Sequence, residues 1–184
     1  MYEGKLVRLR ALRPEDAEKA VIWLNDLETV QQISGGMALP VSLESEKKWV
    51  EEHAGQKSDS QYSFAVETLD GEYIGNCDYF DLNWHDRTCK VGWIIGPEGR
   101  GKGYGTDMIR TLLGVCFDAL GMHKVSLEVM GFNDRAIRLY ERIGFVREGA
   151  YREQILARGR RWDEYRYGML ESEYRKLAEE WGKE

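Results

Sequence analysis

The segment GPEGRGKGYGTD, which runs from Gly96 to Asp107, has the residue types of a phosphate-binding loop. Five of its twelve residues are glycine, and Arg100 and Lys102 lie among them. Glycines let successive backbone N–H groups face one anion, and a helix that begins near Gly105 adds partial positive charge at its N-terminus. The segment therefore predicts an anion site in which two cations supplement the backbone without a metal ion.

Two common nucleotide-binding loops are excluded by single residues of this segment. A Mg²⁺-nucleotide loop of the form G-x-x-x-x-G-K-S/T fits from Gly96 to Lys102, but Gly103 stands where a hydroxyl should hold the metal ion. A dinucleotide loop of the form G-x-G-x-x-G needs a glycine at position 104 or 106, where the chain has Tyr104 and Thr106. A flexible turn between a strand and a helix remains an alternative for the segment taken alone.

A second segment, NDRAIRLYERIGF, begins at Asn133 and has the pattern of a capped helix. Asn133 is a good N-cap residue, and Gly144 is a good residue to end the helix. Tyr140 follows Asn133 by seven residues, which is two helical turns, so the two side chains lie on one face. Tyr140 also shares a helical arc with Ala136 and Ile143, so an ordinary core tyrosine is an alternative.

The elements around these two segments predict a mixed α/β fold. Strand-like alternation and helical stripes succeed one another along the chain. The predicted strands span 5–12, 62–67, 72–83, 88–96 and 124–132, and two more lie in 145–170 on either side of a turn at Gly159. One predicted helix begins near Pro14 and another near Ser42, two cover 109–120 and 133–144, and a last helix lies at the C-terminal end. Loops are expected at 34–42 and 55–61, and turns at Asp70–Gly71 and 84–87. An antiparallel meander thus leads into a β-α-β-α unit, unlike a regularly alternating doubly wound sheet.

Composition narrows the class of protein. The 184 residues, 42% of them apolar, suit one domain over residues 1–184. The net charge of −6 argues against a nucleic-acid binder. No signal peptide and no run of about 20 apolar residues is evident, so no membrane association is expected. Three cysteines without a CxxC pair predict a reducing, cytoplasmic location, and His53, His85 and His123 lack the spacing of metal ligands, so no metal site is expected.

Together, the two segments resemble the GNAT superfamily of N-acetyltransferases, in its RimJ/RimL-type and spermidine-acetyltransferase-like branch. Arg100, Gly103 and Gly105 match its R/Q-x-x-G-x-G/A loop. The helix pattern N-x-x-A-x-x-x-Y-x-x-x-G-F is matched at Asn133, Ala136, Tyr140, Gly144 and Phe145. The resemblance extends from LVRLRAL to the last strand pair. It implies a central, mostly antiparallel sheet of about seven strands flanked by helices, with a β-α-β-α core that binds acetyl-CoA.

The resemblance also implies direct acetyl transfer from acetyl-CoA to a primary amine. The strand before the loop should open away from its neighbour near Gly92–Ile95, so that free backbone groups pair with the pantetheine arm. Tyr140 is the implied general acid for the departing thiolate, whose thiol has an ordinary pKa of about 8.5. The residues expected to bind the cosubstrate are Trp93, Ile94, Ile95, Arg100, Gly101, Lys102, Gly103, Tyr104, Gly105, Thr106, Asn133 and Tyr140.

The general base is less well indicated than the general acid. Many relatives carry an acid on the strand before the loop, where this chain has Lys90. Asp78, Asp81 and Glu128 are the candidates on neighbouring strands, and Asp78 is the preferred one, although proton loss through water would also serve. His85 has a suitable ordinary pKa, but it lies in a predicted turn and is expected at the surface.

The acceptor amine is left open by the sequence. The pocket for it is expected between the first two helices and the last strand pair. The segment QQISGGMALP (31–40) carries no charge, which makes a polyamine less expected than a peptide N-terminus or another small amine. A homodimer is possible because relatives often form one. A non-catalytic acyl-CoA-binding module is the main alternative function, and a phosphate-dependent nucleotide binder is another.

Overall fold

The computed structural model describes residues 1–34, 39–54 and 59–183, and the predicted loops at 34–42 and 55–61 lie partly outside these ranges. The described strands are β1 (Tyr2–Glu3), β2 (Val7–Ala11), β3 (Tyr62–Thr68), β4 (Tyr73–Asn83), β5 (Thr88–Ile95), β6 (Lys124–Met130), β7 (Val146–Ala157) and β8 (Arg160–Leu170). The described helices are α1 (Asp16–Leu24), α2 (Leu27–Ser34), α3 (Leu43–His53), α4 (Tyr104–Gly114), α5 (Asp134–Ile143) and α6 (Glu171–Trp181).

Within the described residues, all eight strands form one sheet in the order β1-β2-β3-β4-β5-β6-β8-β7. The strands from β1 to β5 form an antiparallel meander, β5 and β6 run parallel, and β6, β8 and β7 are again antiparallel. The predicted mixed α/β fold is confirmed. The strand beyond the expected seven is β1, whose two residues are too few to give an alternating pattern.

The sheet splits between its two central strands. Pairing of β5 with β4 continues to Ile95, whereas pairing of β5 with β6 covers only Thr88–Lys90. The predicted opening of this strand is therefore confirmed. The second half of β5 has an edge that faces a gap, although it lies in the middle of the sheet.

Two helical layers cover the sheet. On one face, α4, α5 and α6 pack with residues such as Leu9, Val91 and Leu112 in the larger core cluster. On the other face, α1 and α3 pack with Trp23 and Val50 in a smaller cluster. Burial of these apolar side chains is the main contribution to stability. The gap beside β5 therefore opens between two packed layers.

Two local features differ from the sequence prediction. Helix α2 was not predicted, although Leu27, Val30 and Ile33 recur on one side of it. A second local signal is Asp26, whose carboxylate accepts the Thr29 N–H at 2.9 Å as an N-cap. The helix predicted to run to Leu120 changes after Gly114 into a π-helical segment, Val115–Ala119. Periodicity alone does not separate these two helix types over five residues.

The N-terminal segment is attached to the start of α4. The carboxylate of Asp107 accepts the backbone N–H groups of Lys5, Leu6 and Val7 at 3.0, 2.7 and 3.0 Å. Asp107 lies in the first turn of α4, where a negative charge is favourable to the helix dipole. The entry to β2 and the N-terminus of α4 are therefore held together by one side chain.

Candidate active site

The glycine-rich loop joins β5 to α4 and presents a row of backbone donors. Gly101 and Gly103 have φ angles of 77° and 86°, a left-handed conformation that suits glycine. Across the described part of the chain, no acceptor is found for the N–H groups of residues 101–105. These groups lie at the N-terminus of α4, whose dipole favours an anion. We call residues 101–105 the N–H row, and it fits a pyrophosphate.

The two cations of the loop have different positions. The Arg100 guanidinium donates to Thr29 Oγ1 at 2.6 Å and to the Ile95 carbonyl at 3.4 Å, and it lies 3.8 Å from Glu28. Arg100 was expected to supplement the anion site directly, and it lines the cleft beside Gly101. These contacts also hold its guanidinium against α2. It attaches α2 to the end of β5. Lys102 has an exposed side chain and lies within the N–H row.

The second half of β5 directs only some of its peptide groups into the gap. The Gly96 N–H donates to the Ile74 carbonyl at 2.9 Å, which shows that Gly96 faces β4. Peptide groups alternate along an antiparallel ladder, so those of Ile94 also face β4, while those of Trp93 and Ile95 face the gap. The expectation that all three backbones are free is corrected for Ile94, which lines the adjoining cleft.

Tyr140 lies on α5 between two openings. One is a cleft formed by the end of β5, the glycine loop and α5, and the other is a cavity of about 360 Å³ between β4, β5, β6 and β8; Tyr140 lines both. Its side chain is only 7% exposed and contacts Trp93 edge to face, with ring centroids 5.3 Å apart. Burial raises the pKa of Tyr140, opposed in part by hydrogen bonding with Trp93. The hydroxyl therefore stays protonated throughout the neutral range.

Asn133 fulfils the predicted capping role. Its Oδ1 accepts the Ala136 N–H at 3.2 Å, and Gly144 ends the helix with a φ angle of 110°. Asn133 also lines both the cleft and the cavity, next to Tyr140. The cap leaves its side-chain amide N–H₂ with no hydrogen-bond acceptor among the described residues, so this group is available to a ligand.

Asp78 lies on β4 directly across from Gly92 of β5. A Cβ atom at Gly92 would lie 3.0 Å from Asp78 Oδ2, so the glycine leaves room for the carboxylate. Burial raises the pKa of Asp78 to about 7, against the opposing charge of His53. Asp78 lines the 360 Å³ cavity and also a smaller one next to Trp49 and His53. A carboxylate that titrates near pH 7 has the properties of a general base.

The other candidate bases have different surroundings. Lys90 Nζ lies 3.4 Å from both Asp81 and Glu128, so these two carboxylates share one ammonium group. The side chain of Asp81 is 64% exposed, and that of His85 is 95% exposed, as predicted for the turn. Of the three candidate bases Asp81, His85 and Glu128, only Glu128 lines the cavity beside Tyr140.

Glu164 was missed by the sequence analysis. It lies on β8 opposite Met130 and lines the same cavity as Asp78 and Glu128. Burial raises the pKa of Glu164, and the charge of Glu128 adds to that rise. Its position depends on strand pairing between residues more than thirty apart along the chain, so no local pattern indicates it.

Two general properties can be stated for the described part of the chain. No helix in it is both long and apolar enough to cross a bilayer. No group of three or more metal-ligating side chains was found there either.

Known proteins are similar to this chain in sequence and fold. The family model for the acetyltransferase (GNAT) domain matches residues 7–146. The SPbeta prophage-derived uncharacterized N-acetyltransferase YokL of Bacillus subtilis is 30% identical over 173 residues, which is 94% of each chain. The spermidine N(1)-acetyltransferase of Vibrio cholerae is 35% identical over 116 residues, 63% of this chain and 67% of that protein.

A solved structure extends the comparison to three dimensions. The crystal structure of spermidine N-acetyltransferase from Vibrio cholerae in complex with CoA and spermine superposes with a TM-score of 0.81 at 28% identity. The alignment covers 91% of this chain and 97% of that one. This chain therefore belongs to the GNAT family of acetyltransferases, and it is an N-acetyltransferase that uses acetyl-CoA.

Proposed function

We propose that the acceptor is a small cationic amine with a second positive charge, of the diamine or polyamine class. The observation that carries this proposal is the charge of the 360 Å³ cavity beside Tyr140. Its described lining includes the carboxylates of Asp78, Glu128 and Glu164 but only one cation, Lys90. Alkylamines are protonated at neutral pH, so such a cavity attracts them.

The arrangement of the carboxylates supports two positions for positive charge. Among the described residues, no cation lies within ion-pair distance of Asp78 or Glu164, whereas Glu128 is paired with Lys90. An ammonium group near Glu164 would relieve its repulsion from Glu128. A second amine near Asp78 would be the one that reacts. One molecule with two amino groups satisfies both positions.

This proposal revises the expectation drawn from residues 31–40. That segment carries no charge, and positions 35–38 lie outside the described residues. The negative charge of the cavity comes instead from β4, β6 and β8. The relative from Vibrio cholerae that is named for spermidine supports the same acceptor class. The amino terminus of a peptide is the second candidate, and a panel of amines that includes a short peptide distinguishes it from the first.

The residues that would hold acetyl-CoA lie on the opposite side of Tyr140. We assign the pyrophosphate to the N–H row, which includes Lys102, and to the turn that follows at Thr106. We assign the pantetheine arm to Asn133 and to the peptide groups of Trp93 and Ile95. When bound, acetyl-CoA supplies the activated acetyl group.

The proton transfers are assigned to two side chains of the chain itself. Asp78, ionised above its raised pKa, accepts the proton that an ammonium group must lose before its nitrogen can attack a carbonyl carbon. Tyr140 holds its proton because it is buried, and its hydroxyl donates to the sulfur as negative charge develops there. The two groups line one cavity, so the base and the acid lie at the same site.

Asp78→Asn is expected to lower the activity of the enzyme and to raise its stability. We expect kcat/KM at pH 8 to fall by about 10²-fold, and the rise of activity through pH 7 to disappear. The variant should also be more stable at pH 8. The folded pKa is about 7 and the unfolded one about 4, so ionising the buried carboxyl destabilises the native state progressively from pH 4 to pH 7. Removing this penalty is worth about 2 to 4 kcal/mol at pH 8.

Urea unfolding at pH 5 and pH 8, together with a pH–rate profile, tests this expectation. The gain in the free energy of unfolding should be larger at pH 8 than at pH 5. Asp81→Asn is the matched control on the same strand, because that carboxylate is mostly exposed. Wild-type activity of Asp78→Asn would remove Asp78 as the base.

A panel of amines tests the acceptor class. Release of free CoA thiol would be followed with spermidine, putrescine, butylamine and a short peptide with a free N-terminus. We expect kcat/KM for the di- and polyamines to exceed that for butylamine by at least about tenfold, because the second ammonium gains a charge-assisted contact. Glu164→Gln should reduce this preference severalfold, whereas Glu179→Gln on the exposed side of α6 should not. A preference for butylamine or for the peptide would contradict the proposal.

A further inference from the structure

Helix α5 carries a row of arginines that neither the loop nor the acceptor cavity uses. Arg135, Arg138 and Arg142 are spaced at i, i+3 and i+7, and all three are exposed. At 100° per residue, they fall within an arc of about 60° on the helix surface. The neighbouring arc, with Leu139 and Tyr140, faces the cleft beside β5. The row therefore borders the cleft along one edge.

The charge of this row is not neutralised. Throughout the described ranges, no carboxylate oxygen lies within ion-pair distance of these three guanidinium groups. Other arginines of the chain, such as Arg10 and Arg175, do have carboxylate neighbours. Glu141, on the same helix, instead accepts a hydrogen bond from the Tyr167 hydroxyl at 2.8 Å. Three uncompensated positive charges lie side by side in a protein whose net charge is −6.

The row adjoins the glycine-rich loop. The Arg142 guanidinium donates to Thr106 Oγ1, in the first turn of α4, at 3.4 Å. Arg135 lines the cleft together with Gly101 and Gly105. A Cβ atom at Gly105 would lie 3.8 Å from Leu139 Cδ2, so α5 packs directly against the start of α4. A ligand held by the N–H row would therefore have the arginines within reach.

Coenzyme A has a second anionic group besides its pyrophosphate. This group is a phosphate monoester on the ribose 3′ oxygen, one ribose away from the pyrophosphate, with nearly two negative charges at neutral pH. Guanidinium groups bind such a phosphate through paired N–H donors. We infer that Arg135, Arg138 and Arg142 form the binding site for the 3′-phosphate of CoA. This inference rests on the proposed position of the pyrophosphate at the N–H row.

Calorimetry with CoA and with dephospho-CoA, which lacks only the 3′-phosphate, tests the inference on the free enzyme. We expect the wild-type chain to bind CoA about 10- to 100-fold more tightly than dephospho-CoA. Replacing all three arginines by glutamine should reduce this ratio at least about tenfold, with little change in dephospho-CoA affinity. Arg152→Gln, an exposed arginine on β7, is the matched control and should keep the wild-type ratio.

Three results would overturn the inference. The wild-type chain could bind both ligands equally, or the triple variant could keep the wild-type ratio. The triple variant could also lose both ligands to the same extent, which would place the arginines at the pyrophosphate or in the fold; a triple arginine-to-lysine variant and thermal unfolding then identify a folding defect. Failure of the wild-type chain to bind either ligand is a different result, because it removes the N–H row as the pyrophosphate site.

Discussion

Tyr140→Phe is expected to lower kcat by about 10²- to 10³-fold while leaving acetyl-CoA affinity within about twofold. Phenylalanine keeps the aromatic ring and its edge-to-face contact with Trp93, so the packing of α5 should be preserved. The only group lost is the hydroxyl, which is buried between the cleft and the cavity. A loss confined to kcat identifies an interaction that matters in the transition state more than in binding.

Steady-state kinetics and calorimetry with acetyl-CoA separate the two quantities. Tyr174→Phe is the matched control, because Tyr174 is also buried, and its hydroxyl donates to Asp118 at 2.6 Å, away from the cavity. That variant should lose stability and keep its turnover. If Tyr140→Phe turned over at the wild-type rate, another group or water would have to protonate the sulfur.

Gly103→Val is expected to weaken acetyl-CoA binding by at least about 10²-fold. Gly103 has a φ angle of 86°, which a β-branched residue adopts only with strain. An added Cβ atom would also lie 3.3 Å from Leu6 Cδ1. The chain would relieve both by changing the backbone at the centre of the N–H row. Donors that no longer converge cannot hold one pyrophosphate.

Gly71→Val is the control for this variant, because it puts the same backbone strain at a position outside the glycine-rich loop. Gly71, in the turn between β3 and β4, has a φ angle of 92°, and a Cβ atom added to it would have no neighbouring atom within 4 Å. Gly71→Val should therefore lower thermal stability without changing acetyl-CoA affinity by calorimetry. Equal affinities of Gly103→Val and the wild-type chain would remove the loop as the pyrophosphate site.

Local sequence signals predicted much of the candidate site. The capped helix from Asn133 to Gly144 follows from residues that act on their own neighbours, and so does the glycine loop. The divergence of β5 from β6 followed from the resemblance to a known family, not from any residue of β5 itself. The prediction agrees with the structure where a feature depends on residues close together in the sequence, or where the family resemblance implies it.

The misses within the candidate site depend on contacts between distant parts of the chain. The hydrogen bond from Arg100 to Thr29, 71 residues earlier, was not predicted. Glu164 enters the cavity only because β8 pairs with β6. The peptide groups of Ile94 are used by β4, as the antiparallel register determines. None of these partners can be read from spacing, since each requires the strand order and the register first.

The attachment of residues 5–7 to Asp107 constrains the order in which the protein can acquire its structure during synthesis. These bonds join positions 100 to 102 residues apart. Residues 5–7 leave the ribosome well before Asp107, so their three N–H groups cannot bond to its carboxylate until residue 107 emerges. Closing so long a loop is entropically costly and slows folding. The N–H groups of residues 5–7 therefore reach their native partner only after the start of α4 has been made.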